Sequence, residues 1–277
     1  MMELSIIIAH FNPGNHRDCL KSFHKTLSSI NKSNYSIEII IADDGSITNK
    51  EIQNIAKPSI EQNGKKIYHL QCKSLESWKN ENDFNYPNIK HWLYLPKIEQ
   101  VMGKARISNA SIMKAKSNNL FFLDDDNYFI SNDPIKKIMN FFKDYELIIG
   151  QIKDKNGHFR PYSSNRVQGT TFGIKKEILI NVGLFGEWTE SVSSGVDSDL
   201  WWRLYHHFKK NTKLKACYTS EIQTIDSCSK RWRPFIKTFF RKRQLIKAFN
   251  NEHQCPNYTK VKYNPSRNKK NWMIDLT

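Results

Sequence analysis

A chain of 277 residues with 39% hydrophobic and 12% aromatic residues can bury the core of one large domain, and 25% charged residues is ordinary for a globular protein. That composition excludes a disordered chain. The net charge of +16 is not ordinary, and thirteen Lys or Arg from Ser227 onward, against Glu252 and Asp275, place +11 of it in the last fifth of the chain. Charge so concentrated points to an anionic partner, either membrane lipid or nucleic acid.

In chain order, Leu4-Ser-Ile-Ile-Ile-Ala9 is a continuous apolar, largely β-branched run that reads as a buried parallel strand. A turn at His10-Phe-Asn-Pro-Gly14 leads to helical spacing over residues 15–30, with Cys19, Leu20, Phe23, Leu27 and Ile30 on one face. Residues 37–42 form a second buried strand that ends abruptly in Asp43-Asp-Gly-Ser46, followed by a helix over 47–56 and a third strand over 66–70. Residues 71–100 have no clear period and read as an insertion or long loop carrying several aromatics. A helix over 104–116 and a strand over 119–123 lead into Asp124-Asp-Asp126. The β-α-β alternation predicts an α/β fold, a mostly parallel sheet flanked by helices. Beyond it, residues 135–142 read as helix, 146–150 and 170–174 as strands, and 197–210 as an amphipathic helix.

The five cysteines (Cys19, Cys72, Cys217, Cys228 and Cys255) are scattered, odd in number and without C-x-x-C spacing. They read as reduced thiols, not as a disulfide frame or a zinc site. Apolar runs are strand-sized and the N-terminus has no basic region before an apolar segment, so the expected location is cytoplasmic, or peripheral at the cytosolic face of the inner membrane.

In an open α/β sheet, ligands sit beyond the carboxyl ends of the strands. Three polar clusters fall at such ends, at residues 10–12, 43–46 and 124–126. Three adjacent aspartates repel one another unless a cation is near, and Mg²⁺ or Mn²⁺ takes oxygen ligands shared with a substrate pyrophosphate. A solvated acidic turn is the plainer alternative. In Gly195-Val-Asp-Ser-Asp199, a carboxylate facing the pocket could take a proton from a hydroxyl; by position alone an Asp here is more simply the cap of the helix that follows, and one Asp can do both.

These segments together resemble family 2 glycosyltransferases of GT-A fold. Ser5-Ile-Ile-Ile-Ala-His-Phe-Asn12 is similar to the family's first strand and turn, and Ile39-Ile-Ile-Ala-Asp-Asp-Gly-Ser46 to its second strand. Gly103-Lys-Ala with Asn109-Ala-Ser111 resembles its Gly-Lys-Ala…Asn-Ala-Gly helix, and Phe121-Phe-Leu-Asp-Asp-Asp126 falls where the D-x-D motif belongs. Val182-Gly-Leu-Phe-Gly-Glu187 and Gly195-Val-Asp-Ser-Asp-Leu-Trp-Trp-Arg203 resemble the Val-Gly-Gly-Phe-Asp-Glu and Glu-Asp-x-x-Leu-x-x-Arg segments. The resemblance spans residues 4–210.

It implies an inverting, metal-assisted transfer of a sugar from a nucleotide-sugar, UDP-linked by family analogy, to a hydroxyl of a growing surface polysaccharide or oligosaccharide. It implies a donor site at Ala9, Asn12, Asp43, Lys104, Asp124 and Asp125, with Asp43 facing the base. Asp124 and Asp126 would hold Mn²⁺ or Mg²⁺, Asp197 would be the general base, and Arg203 would brace the helix. The loop before the base, with Trp188 and Glu190, would meet the acceptor. Two departures stand out. The usual Pro-Thr/Ser-Tyr-Asn turn is Ala-His-Phe-Asn, and Val196 replaces the Glu before the catalytic Asp, which leaves Asp199 as a rival base.

The expected division is a catalytic domain over 1–220, with a nucleotide-sugar half to about 126 and an acceptor half beyond it, and a basic C-terminal extension over 221–277. Residues 231–249 read as a basic amphipathic helix started by Pro234, suited to an anionic membrane and so to a lipid-linked glycan acceptor, or else packed on the catalytic domain. Two other classes compete. A nucleotidyltransferase would need a Gly-rich phosphate loop, and residues 10–14 offer one Gly. A nucleic-acid-binding protein would explain the basic extension but leave three aspartates at a sheet edge without a purpose.

Overall fold

The structure, a computed structural model, describes residues 2–12, 14, 17–30, 35–46, 52–97, 102–227 and 235–277, with the side chains of 17–18 and 235–240 left aside. The first half runs β1 (Leu4–His10), α1 (Arg17–Ile30), β2 (Ile37–Asp43), α2 (Ile52–Ile55), β3 (Ala56–Gln62), β4 (Lys65–Leu70), α3 (Cys72–Glu81), β5 (Ile89–Tyr94), α4 (Lys104–Lys114) and β6 (Asn119–Asp124). The second runs β7 (Asn127–Phe129), α5 (Pro134–Phe141), β8 (Leu147–Lys153), β9 (Phe172–Lys175), α6 (Lys176–Asn181), α7 (Val196–Lys210), β10 (Ala216–Asp226), α8 (Phe235–His253) and β11 (Ile274–Leu276).

One sheet in the order β11-β10-β8-β9-β6-β1-β2-β5-β4-β3 organises the molecule, with β7 pairing β10 off that path. Among the described strands only β4, β7 and β9 run against the others, so the sheet is mixed and mostly parallel. Period-two alternation explains why the central strands are apolar throughout. Ile7, Ile40, Leu120 and Phe122 pack on one face with α4 and α7, while Ile6, Ile8, Ile39, Ile41, Phe121 and Leu123 pack on the other with Phe23 and Leu27 of α1.

Four adjacent parallel strands, β6, β1, β2 and β5, end level with one another. Ala9 pairs with Asp124 and with Ala42, His10 with Asp43, and Asp43 with Tyr94. The polar clusters therefore share one edge of the sheet.

Several expectations change. The helix expected over 47–56 is described only as α2, because Ala56 already opens β3 and residues 47–51 lie outside the described residues. The strand over 66–70 is not a parallel strand but half of an antiparallel edge hairpin, β3–β4. Residues 71–100 are no long loop. They hold α3 and the parallel strand β5, whose Trp92, Leu93 and Tyr94 are buried although Lys90 and His91 interrupt its apolar run. β10 runs on past residue 220, with a register irregularity between Thr219 and Gln223, so the sheet continues into the segment expected to be an extension.

Of the expected basic amphipathic helix, residues 231–234, Pro234 included, lie outside the described residues. The rest falls in α8, where Leu245 and Phe249 are buried against Trp188 and Trp202. Among the described residues no helix is long and apolar enough to cross a membrane. Cys19, Cys72, Cys217 and Cys255 are free thiols.

Candidate active site

Residues 124–127 continue the alternation of β6. Asp124 and Asp126 are partly exposed, whereas Asp125 and Asn127 are 1% and 2% exposed. The first and third aspartates thus turn outward at the end of the strand while the middle one turns inward. Asp125 accepts hydrogen bonds from His10 Nδ1 (2.6 Å) and the Phe11 amide (3.2 Å), and its own amide donates to the Ala9 carbonyl (3.0 Å). It braces the first turn from within, and the structure does not bring it to the surface beside Asp124 and Asp126.

Asp43 is likewise fully buried. Its carboxylate accepts from the Ser46 amide (2.8 Å) and Trp92 Nε1 (3.1 Å), and the Ser46 hydroxyl in turn accepts from the Asn12 amide (2.8 Å). Asp43 therefore locks the Asp43–Ser46 turn and, through it, the backbone at Asn12. Next to it, Asp44 accepts from the Gly103 amide (2.8 Å) and pairs with Lys97 (2.7 Å), tying that turn to the start of α4; burial raises its pKa against the pull of Lys97. Lys97 also sits 4.6 Å above the Phe11 ring.

The residues that converge are Lys104, Asp124, Asp126 and Asp197. Lys104, in the first turn of α4, reaches Asp124 Oδ1 at 3.1 Å and Asp197 Oδ1 at 3.9 Å. Burial works against its charge, but Asp124, Asp197 and Asp126 outweigh that and hold its pKa above the usual lysine range. Asp124 is pushed up to about 6, first by burial and then by Asp126 and Asp197, with Lys104 opposing. Its amide donates to the Thr170 hydroxyl (2.8 Å), which ties the strand end to the loop before β9.

Asp197 lies on α7, whose N-cap is Gly195 in the left-handed region (φ 91°), so Asp197 is the second helical residue and not the cap. Its side chain is 38% exposed as a whole, but its Oδ1 is buried and, beside Lys104, has no hydrogen-bond partner among the described residues. It lies flat against Gly169, where any Cβ would collide with the carboxylate.

Asp199 is its opposite. It is 0% exposed and accepts from the Gly186 amide (3.1 Å), Trp188 Nε1 (2.9 Å), His253 Nε2 (2.7 Å) and Arg203. Four donors occupy the acceptor positions of a carboxylate, and none is left to take a proton from a substrate. Arg203 also donates to the Val182 carbonyl, so it braces the helix.

Glu190, in the 3-10 turn Glu187–Glu190, is 4% exposed. It pairs with Arg106 of α4 (2.8 Å) and accepts from the Arg106 amide (3.1 Å). It holds the loop against α4 and does not point outward. Gly169, Thr170 and His253 are partners the sequence reading misses, because each is close only in space. The Leu245, Phe249, His253 spacing of four residues is the signal that could have found the last.

Among the described residues no three His, Cys, Asp or Glu side chains stand together so as to hold a metal ion by themselves. Asp124 and Asp126 are two hard oxygen donors, which with substrate phosphates suffices for Mg²⁺ or Mn²⁺. Burial first, and then the charges of Asp126 and Asp197, raise the pKa of Asp124; a divalent cation there would offset both, so these residues fit such an ion.

No family model matches the chain, and no curated protein matches it. Solved structures do. Mannosyltransferase PcManGT from Pyrobaculum calidifontis, in complex with GDP-Man and Mn²⁺, aligns with a TM-score of 0.56 at 13% identity, over 91% of this chain and 64% of that one. S. aureus TarS aligns at 0.52 and 14%, over 90% and 40%. Residues 1–349 of TarS in complex with UDP-GlcNAc align at 0.51 and 15%, over 90% and 67%. The chain spans less than half the length of the longer TarS chain. At such identities the likeness is one of fold. It bears out the α/β architecture, a mostly parallel sheet flanked by helices.

Proposed function

We propose that the chain is a metal-assisted glycosyltransferase that moves a sugar from a nucleotide-sugar to an acceptor hydroxyl with inversion. The observation that carries this reading is the meeting of Asp124 and Asp197 at one cation, Lys104 Nζ, on the carboxyl edge of the parallel strands. One carboxylate ends the strand where a diphosphate would lie. The other lies in the first turn of α7, with a buried oxygen that has no hydrogen-bond partner among the described residues. The likeness of fold to structures in complex with UDP-GlcNAc and with GDP-Man and Mn²⁺ supports a nucleotide-sugar as donor.

In this reading the backbone of Ala9–Asn12, held by Asp125 and by the Asp43–Ser46 turn, shapes the nucleoside site. Asp124 and Asp126 would hold Mn²⁺ or Mg²⁺, and such an ion would supply positive charge to offset that of a departing diphosphate. Lys104 adds fixed positive charge beside the same oxygens. Asp197 takes the proton of the acceptor hydroxyl as that oxygen attacks the anomeric carbon. The bond from that carbon to the diphosphate oxygen breaks on the opposite face, so configuration inverts and no covalent enzyme intermediate forms. UDP is the proposed carrier and a surface polysaccharide or oligosaccharide, lipid-linked, the proposed acceptor. Exposed Lys242 and Lys247 of α8 support contact with an anionic membrane beside the site.

The test is nucleotide release from a panel of UDP-, GDP-, CMP- and TDP-sugars, with and without Mn²⁺ and with glycan acceptors. Metal-dependent release from one donor, lost in Asp126→Ala, is the expected result. No release and no thermal stabilisation by any nucleotide with Mn²⁺, together with salt-dependent RNA or DNA binding, would replace it with the nucleic-acid reading.

A further inference from the structure

The four-residue network around Asp199 contains one member that no comparison or motif assigns. His253 ends α8 and lies 54 residues beyond Asp199 in sequence, yet its Nε2 stands 2.7 Å from Asp199 Oδ1. The His253 and Asp199 side chains are 10% and 1% exposed. A carboxylate can only accept, so Nε2 carries the hydrogen. The ring is fixed from other sides by Phe249 (centroids 4.6 Å), Trp202 (5.8 Å) and Trp188 (6.1 Å).

The same helix touches the start of α7 a second time. The Leu245 side chain covers Gly195 so closely that a Cβ there would meet its Cδ1 at 2.5 Å. Two turns of α8 therefore clamp the first turn of α7, one on the residue before the helix and one on its buried carboxylate. Asp197 sits between those two points.

We propose that His253 is a positioning residue for the transfer step, acting through Asp199 to hold Asp197 and the Gly186–Trp188 segment in register with the donor. This rests on the glycosyl-transfer reading above. Without the His253 donor, Asp199 Oδ1 keeps only Trp188, and a buried acceptor short of a partner re-aims toward other donors. The carboxylate's remaining ligands, Gly186, Trp188 and Arg203, move with it, and so does the helix turn that carries Asp197. A shift of about 1 Å in a reacting group costs on the order of a hundredfold in rate without loss of binding.

The experiment compares His253→Ala, His253→Gln and His253→Phe in the full chain, with Gln offering a side-chain N–H at similar reach and Phe filling the space without a donor. We expect kcat for transfer to fall about 30- to 100-fold in the Ala and Phe variants, with donor Kd and KM within about twofold, and to recover to within about fivefold in Gln. A packing role would track volume, so that Phe is active and Gln is not; that pattern overturns the proposal, as does a wild-type kcat in both Ala and Phe. If Ala fails to fold, Phe carries the comparison.

The Trp188 indole N–H resonance, assigned with Trp188→Phe, reads the same coupling without activity. It should shift in Ala and Phe and return in Gln. If the wild-type protein neither releases nucleotide from any donor nor is stabilised by any nucleotide with Mn²⁺, the glycosyl-transfer reading fails by itself. The indole resonance then decides on His253, and an unshifted signal in Ala and Phe overturns its coupling to Asp199.

Discussion

Two carboxylates two residues apart have opposite physical roles. Asp199 is buried with four donors, so removing its charge strands Arg203 and His253. Asp199→Asn should cost about 3 kcal/mol, the scale for breaking a buried ion pair, read as a lowered urea midpoint at unchanged m-value. A loss below about 0.5 kcal/mol would mean that the network is no more than a surface pair. Gly169 makes the complementary case. A methyl group there collides with the Asp197 carboxylate, which is free to rotate aside, so the fold tolerates Gly169→Ala while the reacting group moves. Transfer should fall about a hundredfold with the urea midpoint held, measured as released nucleotide per folded molecule. In sequence, Gly169 looks like any loop glycine. Its role depends on a side chain nearly thirty residues on.

The edge of the sheet carries a titrating pair of elements. His69 of β4 and His91 of β5 share a hydrogen bond (Nε2 to Nδ1, 2.8 Å), and both pKa values are lowered to about 4, by burial first and then by Lys114. Folded, the two rings stay neutral down to about pH 4; unfolded, they take up protons near pH 6.5. The unfolded state thus binds more protons in that window. The stability they allow is full above about pH 6.5 and is lost as pH falls toward 4. We expect a loss on the order of 2 kcal/mol between pH 7 and 5 after solvent screening, halved in His69→Gln, from urea midpoints at each pH.

Legibility at this scale follows burial. β1, β2 and β6 are covered on both faces, so their runs are uniformly apolar and read directly. β5 is just as central, but Lys90 and His91 break its run, and β3 carries mostly exposed residues at an edge. Neither has a period to read. The outward Asp124 and Asp126 and the inward Asp125 follow from alternation at a strand end. The engagement of Asp43 by Trp92 does not, because its partner comes from the strand that the sequence conceals.

At the scale of the molecule, the chain after α7 closes the structure. β10 and β11 extend the sheet, and Lys269, 1% exposed, donates to the Ser164 (2.9 Å) and Arg166 carbonyls beneath the rings of Trp201 and Tyr218. Its pKa is pulled down to about 8, by burial and then by Arg160. Lys269→Ala should lower stability by about 2 kcal/mol, through lost hydrogen bonds and cation–π contacts; an unchanged thermal midpoint would mean that the terminal segment docks by its apolar residues alone. Composition shows the charge of this segment but not that part of it turns inward, since a lysine bound to carbonyls and one in water are the same letter.

In the proposed reaction Asp197 removes the acceptor proton in a site where Asp124, Asp126 and Lys104 hold the donor. Its most direct test is Asp197→Asn, assayed for transfer to acceptor and, separately, for calorimetric binding of the donor nucleotide with Mn²⁺. Transfer should fall about a thousandfold or more, the scale of general-base catalysis, with donor affinity within about twofold. A wild-type rate in that variant would contradict this role of Asp197.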